Sequence, residues 1–299
     1  MRILHVWDQA GVACILAKYQ RRQGYSSSVL RVNDQDKYGI NKFYSDLITF
    51  CSEQDFIQRS LREADSAELI HVHSRIDVIA PLRERYGKSK KIFLHYHGTD
   101  IRGFSPPTVH QKHSRLASIL PTSKSILKKL IRRKSGNIVR NRKAQLAADG
   151  ILVSTPDLLK LVKRASYLPN PVDMEHFKPD DNRLDRGKRA LTIRSEVTDI
   201  DWALEYCKRN NVDLDIETHD RTQSPVMYQD MPLFLKRYNT YVDIRLVNGK
   251  ILENLSKSAL ESLACGLEVL NYRLRYLRGL PSEHDPSAVL SKLSKIYFR

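Results

Sequence analysis

The sequence predicts an α/β protein in two halves, each a mainly parallel sheet with helices packed on both faces. Two observations predict it. Short β-rich runs alternate with stretches of helical spacing along the chain. That alternation breaks near Asn170 to Asp185, where Pro169, Pro171, Pro179 and a polar run interrupt the periodicity. Parallel strands need a long crossover, usually a helix, so strand and helix in alternation lead to a sheet covered on both sides.

In the first half, Ile3 to Val6, Ser28 to Val32, Leu69 to His73, Ile92 to Tyr96 and Ile151 to Ser154 read as strands, with Val12 to Gln23 as the first crossover helix. The second half repeats the pattern with Ala190 to Ile193, Val212 to Ile216, Tyr241 to Leu246 and Glu268 to Asn271, one strand–helix unit short. Ser287 to Phe298 has helical spacing. The expected domains are therefore 1–172 and 173–286, followed by a terminal helix over 287–299. No solenoid-period repeat and no low-complexity tail interrupts them.

At 299 residues the chain is long enough for two ordinary domains. It has no 18-residue apolar run and its first strand begins at residue 2, so neither a membrane span nor a signal peptide is expected, and a cytoplasmic location is. Cys14, Cys51, Cys207 and Cys265 lack Cys-x-x-Cys spacing, which argues for packing roles over zinc or disulfides.

The net charge is +16, and its position matters more than its size. Residues 1–170 carry 30 Lys and Arg against 14 Asp and Glu, whereas 171–299 carry 20 of each. The segment 101–148 holds twelve basic residues and no acidic one. Its densest part, Lys124, Lys128, Lys129, Arg132 and Arg133, is interleaved with Ile126, Leu127, Leu130 and Ile131. Contact with an anionic membrane surface is the preferred reading over a plain solvated face, since each basic residue there is worth about 1 kcal/mol. Nucleic acid ranks last, because the run has no helix-turn-helix signature, zinc spacing or stacking aromatics.

The most informative stretch is Glu253-Asn-Leu-Ser-Lys-Ser-Ala-Leu-Glu261. It follows the β-branched run Tyr241 to Leu246 and turn residues, and it precedes Gly266 and the strand Glu268 to Asn271. If Glu261 rides on a helix, Glu253 lies just ahead of that helix, and Ser256 or Ser258 can cap it. A helix N-terminus at a strand's carboxyl end attracts phosphate. Two carboxylates about it, one at the mouth and one two turns in, can hold hydroxyls on either side of a diphosphate.

With these residues the chain resembles the GT-B glycosyltransferases, in particular the retaining family 4, whose donor domain carries a Glu-x7-Glu motif followed by a small-residue ending. Further matches occur in family order. Met1 to Ala13 is similar to the first strand and glycine loop, with Gly11 at the loop glycine. Glu68 to His73 is similar to a buried strand, His95 to Asp100 contains the His-Gly-x-Asp element, and 148–154 with 168–177 is similar to the approach to the linker.

The resemblance implies a GT-B architecture of two Rossmann-like domains with a shortened second domain, and a terminal helix that crosses back to the first. It implies transfer of a sugar from a nucleotide sugar to a hydroxyl acceptor, lipid-linked or glycan, with retention. His97 would lie beside the reacting sugar and Glu253 would contact its hydroxyls; Glu261 would hold the ribose. Gly11, Arg194, Asn254, Ser256 and Lys257 would meet the diphosphate. No cofactor and no obligatory metal is expected, and Asp213-Leu-Asp215 falls inside an expected strand.

The chain also departs from the family. Arg194 stands for the usual Arg, but no Lys follows it, and Lys257 is a better local replacement than Lys250. Asn254 and Ser256 replace the motif's glycines. A catalytically weak or inactive protein that binds a nucleotide sugar or serves as a partner subunit is therefore the alternative. A dinucleotide-dependent oxidoreductase is disfavoured, because no Gly-x-Gly-x-x-Gly follows the first strand.

Overall fold

The computed structural model describes residues 1–33, 36–98, 100–102, 139–179, 187–194, 199–247 and 249–298. The basic cluster Lys124, Lys128, Lys129, Arg132 and Arg133 lies outside them. The far end of that segment is a helical stretch over 139–147, on which Arg140, Arg142 and Lys143 are exposed.

Seven strands make the first sheet: β1 (Arg2–Val6), β2 (Ser26–Val32), β3 (Ile48–Cys51), β4 (Leu69–His73), β5 (Lys91–Tyr96), β6 (Gly150–Val153) and β7 (Ser166–Tyr167). Their order is β3-β2-β1-β4-β5-β6-β7, and every neighbouring pair is parallel. This is the doubly wound order, whose strand carboxyl ends form the ligand edge. Both faces are buried. Leu4, Val6, Ile70, Val72, Ile92 and Leu94 pack with Phe56 and Ala64 of α3 (Phe56–Ser66) and Ile79 and Leu82 of α4 (Ile79–Tyr86). Ile3, Leu69 and Phe93 face the other way, onto Val12 and Leu16 of α1 (Val12–Arg22) and Val289, Leu293 and Tyr297 of the final helix (Pro286–Tyr297).

The second sheet has the order β14-β13-β10-β8-β9, with β8 (Arg189–Arg194), β9 (Asp215–Asp220), β10 (Thr240–Asp243) and β13 (Glu268–Asn271) parallel and β14 (Tyr276–Leu277) antiparallel at the edge. A small hairpin, β11 (Leu246–Val247) with β12 (Lys250–Ile251), follows β10.

One expected strand is displaced: β9 runs Asp215–Asp220, not Val212 to Ile216. Val212 and Leu214 are apolar but pack in the approach to the strand, against Ala203 and Cys207. The strand itself alternates Asp215, Glu217 and His219 with its inward residues, as an edge strand can. The short strands β3, β7 and β14 were not expected from sequence. Cys14, Cys207 and Cys265 are buried, and all four cysteines are free thiols. Among the described residues no helix is long and apolar enough to cross a membrane.

The two sheets share one apolar core. Ala13, Cys14 and Ala17 of α1, with Tyr44 and Leu47, meet Val172, Phe177, Leu191, Tyr228, Ala259 and Leu263 in a single cluster. At its rim Asp173 is fully buried and accepts hydrogen bonds from Lys18 Nζ at 2.8 and 2.7 Å and from Tyr44 Oη at 2.8 Å. A buried carboxylate is tolerated only when paired and hydrogen-bonded in this way.

Candidate functional site

The helix that carries Glu261 is α8 (Lys257–Ala264). It starts where the sequence predicts, because Ser256 adopts extended backbone and its Oγ accepts from Ala259 N at 3.0 Å. Ser256 N in turn donates to Asp243 Oδ2, 2.8 Å away at the end of β10. The helix stops before Gly266, whose φ of 85° is left-handed. Because α8 begins at Lys257, Glu261 sits one turn in, not two.

Opposite lies the loop after β1. Trp7, Ala10 and Gly11 have φ of 74°, 55° and 81°, and the buried Asp8 carboxylate collects the N–H groups of Gly11 at 2.7 Å, Ala13 at 2.7 Å and Cys14 at 3.3 Å. This bends the loop tightly over the start of α1. Non-glycine residues held at positive φ cost of order 1–3 kcal/mol each and concentrate at functional edges.

Lys257 spans the two halves. Its Nζ donates to Ala10 O and lies 3.7 Å from Glu261 Oε1. A Cβ on Gly11 would come to 3.2 Å from that ammonium group, so Gly11 serves both the left-handed turn and the close approach. Glu261 is 7% exposed; burial pushes its carboxyl pKa up, while the charges of Lys257 and Arg221 pull it down. Tyr228 adds an aromatic wall, its ring centroid 5.9 Å from Lys257 Nζ.

His97 is partly buried at the end of β5, close enough for the charges of Asp8 and Lys257 to act on it. Burial lowers its pKa to about 4 against the pull of Asp100 and Asp8. Both ring nitrogens are engaged, by His73 Nδ1 at 3.0 Å and Ser154 Oγ at 2.7 Å. Asp100 orders the loop by accepting from His97 N at 3.0 Å and Gly98 N at 2.8 Å.

Gly11, His97, Lys257 and Glu261 are therefore brought together, with Ser256 as the helix cap. The other expected residues stand further out. Glu253 is exposed. Asn254 is partly buried, its carbonyl accepting from Arg245 Nη2. Arg194 pairs with Asp201 at 2.9 Å at the end of β8.

Arg221 was missed. It stacks on Tyr38, 4.0 Å from the ring centroid, and its charge reaches Glu261. It follows β9 directly, a strand-end position of the kind that binds ligands. Placing that strand at Val212 to Ile216 moves its end four residues upstream and leaves Arg221 looking like a loop residue.

No protein-family model matches the sequence, and no curated protein matches it. Solved structures do match by shape. An alpha-glucosyltransferase in complex with UDP and a 13-mer DNA containing an A:G mismatch aligns at TM-score 0.55 and 11% identity, over 99% of this chain and 90% of that one. Anabaena HepE in complex with UDP and glucose aligns at TM-score 0.55 and 9% identity, over 100% and 89%. The chain has the GT-B fold. At these identities the likeness is one of architecture. The GT-B frame nevertheless runs across both sheets and the connection between them, since nearly the whole chain aligns.

Proposed function

We propose that this GT-B protein is a glycosyltransferase that takes its sugar from a nucleotide donor and transfers it to a hydroxyl with retention. The observation that carries the reading is the meeting of Lys257 with the Gly11 loop, beside Glu261 and Arg221 and at the mouth of α8. A nucleoside diphosphate laid there would find two cations and helix N–H groups for its phosphates and a carboxylate for its ribose hydroxyls. Such fixed charges stabilise a departing diphosphate as negative charge grows on it. Glu253, exposed ahead of the helix, would meet the sugar hydroxyls. With Lys257 and Arg221 in these roles no metal is required, so EDTA should leave transfer unchanged.

A uridine donor is the first to test, because the matching glucosyltransferase and HepE structures hold UDP. The acceptor is proposed to be lipid-linked or a glycan, presented at an anionic membrane by Lys124, Lys128, Lys129, Arg132 and Arg133. Flotation with vesicles containing anionic lipid tests that contact, and salt-sensitive binding to duplex DNA without lipid binding would redirect it to nucleic acid.

A second reading has its own support. Lys257 is already bonded to Ala10 O, and Arg194, which the sequence places at the diphosphate, to Asp201, so two of the expected donor-binding cations are engaged. A protein that binds the nucleotide sugar without turning it over accounts for that pairing. Donor hydrolysis and transfer across UDP, GDP and ADP sugars, with calorimetric nucleotide binding, separate the two. Binding without turnover selects the second, and absence of both discards the site.

A further inference from the structure

Five histidines lie in the interior of the first sheet: His5 on β1, His71 and His73 on β4, and His95 and His97 at the end of β5. They are linked with Ser154, Tyr297 and Gln20. His5 Nε2 meets Gln20 Oε1 at 2.8 Å, and His5 Nδ1 meets His73 Nε2 at 3.0 Å. His73 Nδ1 meets His97 Nε2 at 3.0 Å, and His97 Nδ1 meets Ser154 Oγ at 2.7 Å. Ser154 Oγ meets His95 Nε2 at 3.0 Å, His95 Nδ1 meets His71 Nε2 at 3.2 Å, and His71 Nδ1 meets Tyr297 Oη at 2.6 Å. Ser27 Oγ donates to the same Gln20 Oε1 at 2.7 Å, so the chain of hydrogen bonds runs from Gln20 at one end to Tyr297 at the other.

A neutral imidazole has one N–H and one lone pair, so each link dictates the next. Gln20 Oε1 can only accept, so His5 carries its proton on Nε2 and accepts on Nδ1. His73 must then donate from Nε2, and His97 likewise. Ser154 donates to His97 and accepts from His95 Nε2–H; His95 accepts from His71 Nε2–H; and His71 accepts from the Tyr297 hydroxyl. Every donor finds an acceptor with all five rings neutral. Burial independently holds these histidines neutral, with His71, His73 and His95 titrating well below their ordinary value.

One member differs from the rest. Hydroxyls and imidazoles can reverse their direction by moving a proton, whereas the amide has a fixed acceptor end and a fixed donor end. We propose that Gln20 is a positioning residue which, through His5 and His73, fixes His97 near Asp8 and Lys257 as its Nε2–H tautomer with both nitrogens committed. His97 then contributes shape and an ordered loop to the site, with its N–H and its lone pair both engaged, which leaves charge stabilisation to Lys257 and Arg221. The tautomer assignment does not depend on the proposed activity, whereas the part His97 plays in the site rests on that reading. The groups His5, His71, His73 and His73, His95, His97 have ligand atoms within 4.8 Å of one another, but a metal would need lone pairs the hydrogen-bond chain already uses.

The test is a long-range proton–nitrogen spectrum of histidine-labelled protein at neutral pH. All five rings should show the Nε2–H pattern. Tyr297→Phe removes the far end of the chain but keeps the amide, so His5, His73 and His97 should remain Nε2–H. Gln20→Leu should give mixed tautomers at those positions, and Gln20→Met is the substitute if the leucine variant does not fold. A merely structural Gln20 would lower stability in both variants and shift tautomers in neither. An Nδ1–H ring, an imidazolium or a bound metal at these histidines in the unaltered protein overturns the proposal.

Discussion

The two halves of the molecule repeat one pattern and use their interiors differently. The first sheet has seven parallel strands and places a layer of interlinked polar rings within an apolar interior. The second has four parallel strands and an antiparallel edge, and it places its chemistry at the rim, on α8 and the residue after β9. The larger half can bury imidazoles because it has helices enough to seal both faces. The smaller one leans on its partner for part of its core, through the cluster that runs from α1 to α8 and through Asp173. The difference teaches that the buried polar layer and the charged rim of α8 belong to separate halves, which Lys257 and Asp173 join.

Acid should expose that division most strongly. His5 and His97 have folded values of about 4 against an ordinary 6.5, so below pH 6.5 the unfolded chain takes up protons that the folded one refuses. Their contribution to stability is full above pH 6.5 and falls as pH drops toward 4, by at most about 1.4 kcal/mol per pH unit for each ring. Urea midpoints measured from pH 7 to pH 4.5 should decline steeply, and a flat series would break the comparison.

The joint comes next. Asp173→Ala leaves Lys18 and Tyr44 without their buried acceptor, although Lys18 keeps Glu175 at 3.1 Å. Loss of one partner of a buried pair costs about 3–5 kcal/mol, and the lower end is expected here. Thermal or urea unfolding reads it, and two separated transitions would show the halves uncoupled. Lys257→Met should spare the fold but weaken nucleoside diphosphate binding about tenfold or more, the value of a charged hydrogen bond. Unchanged affinity would remove the site from the mouth of α8. Glu253→Gln is the smallest in stability, within about 0.5 kcal/mol for an exposed group. Its predicted effect is on sugar transfer, with nucleotide affinity retained.

Much of this was legible in the sequence for definite reasons. Strands such as Leu69 to His73 are buried on both faces and so appear as continuous runs, and Val12 begins a helix because Gly11 and Asp8 precede it. The spacing from Glu253 to Glu261 carried the helix start and Ser256 its cap. Edge strand β9 carried no apolar signal, and Arg221 was lost with it. Asp173 reads as a turn residue between prolines, since only the packed structure shows the tyrosine and lysine that surround it. Gln20 reads as an ordinary polar position on α1, because its partners lie on β1 and β2.

That final helix has a consequence for the order of synthesis. Tyr297 completes a face of the first sheet, 226 residues beyond His71, its hydrogen-bond partner. At about 5–20 residues per second, His71 waits roughly 10–45 s on the ribosome for that contact. Throughout that interval the nascent first half exposes Ile3, Leu69 and Phe93, a patch suited to chaperone capture. A chain truncated before Pro286 would keep it exposed indefinitely, so faster degradation is the expected consequence.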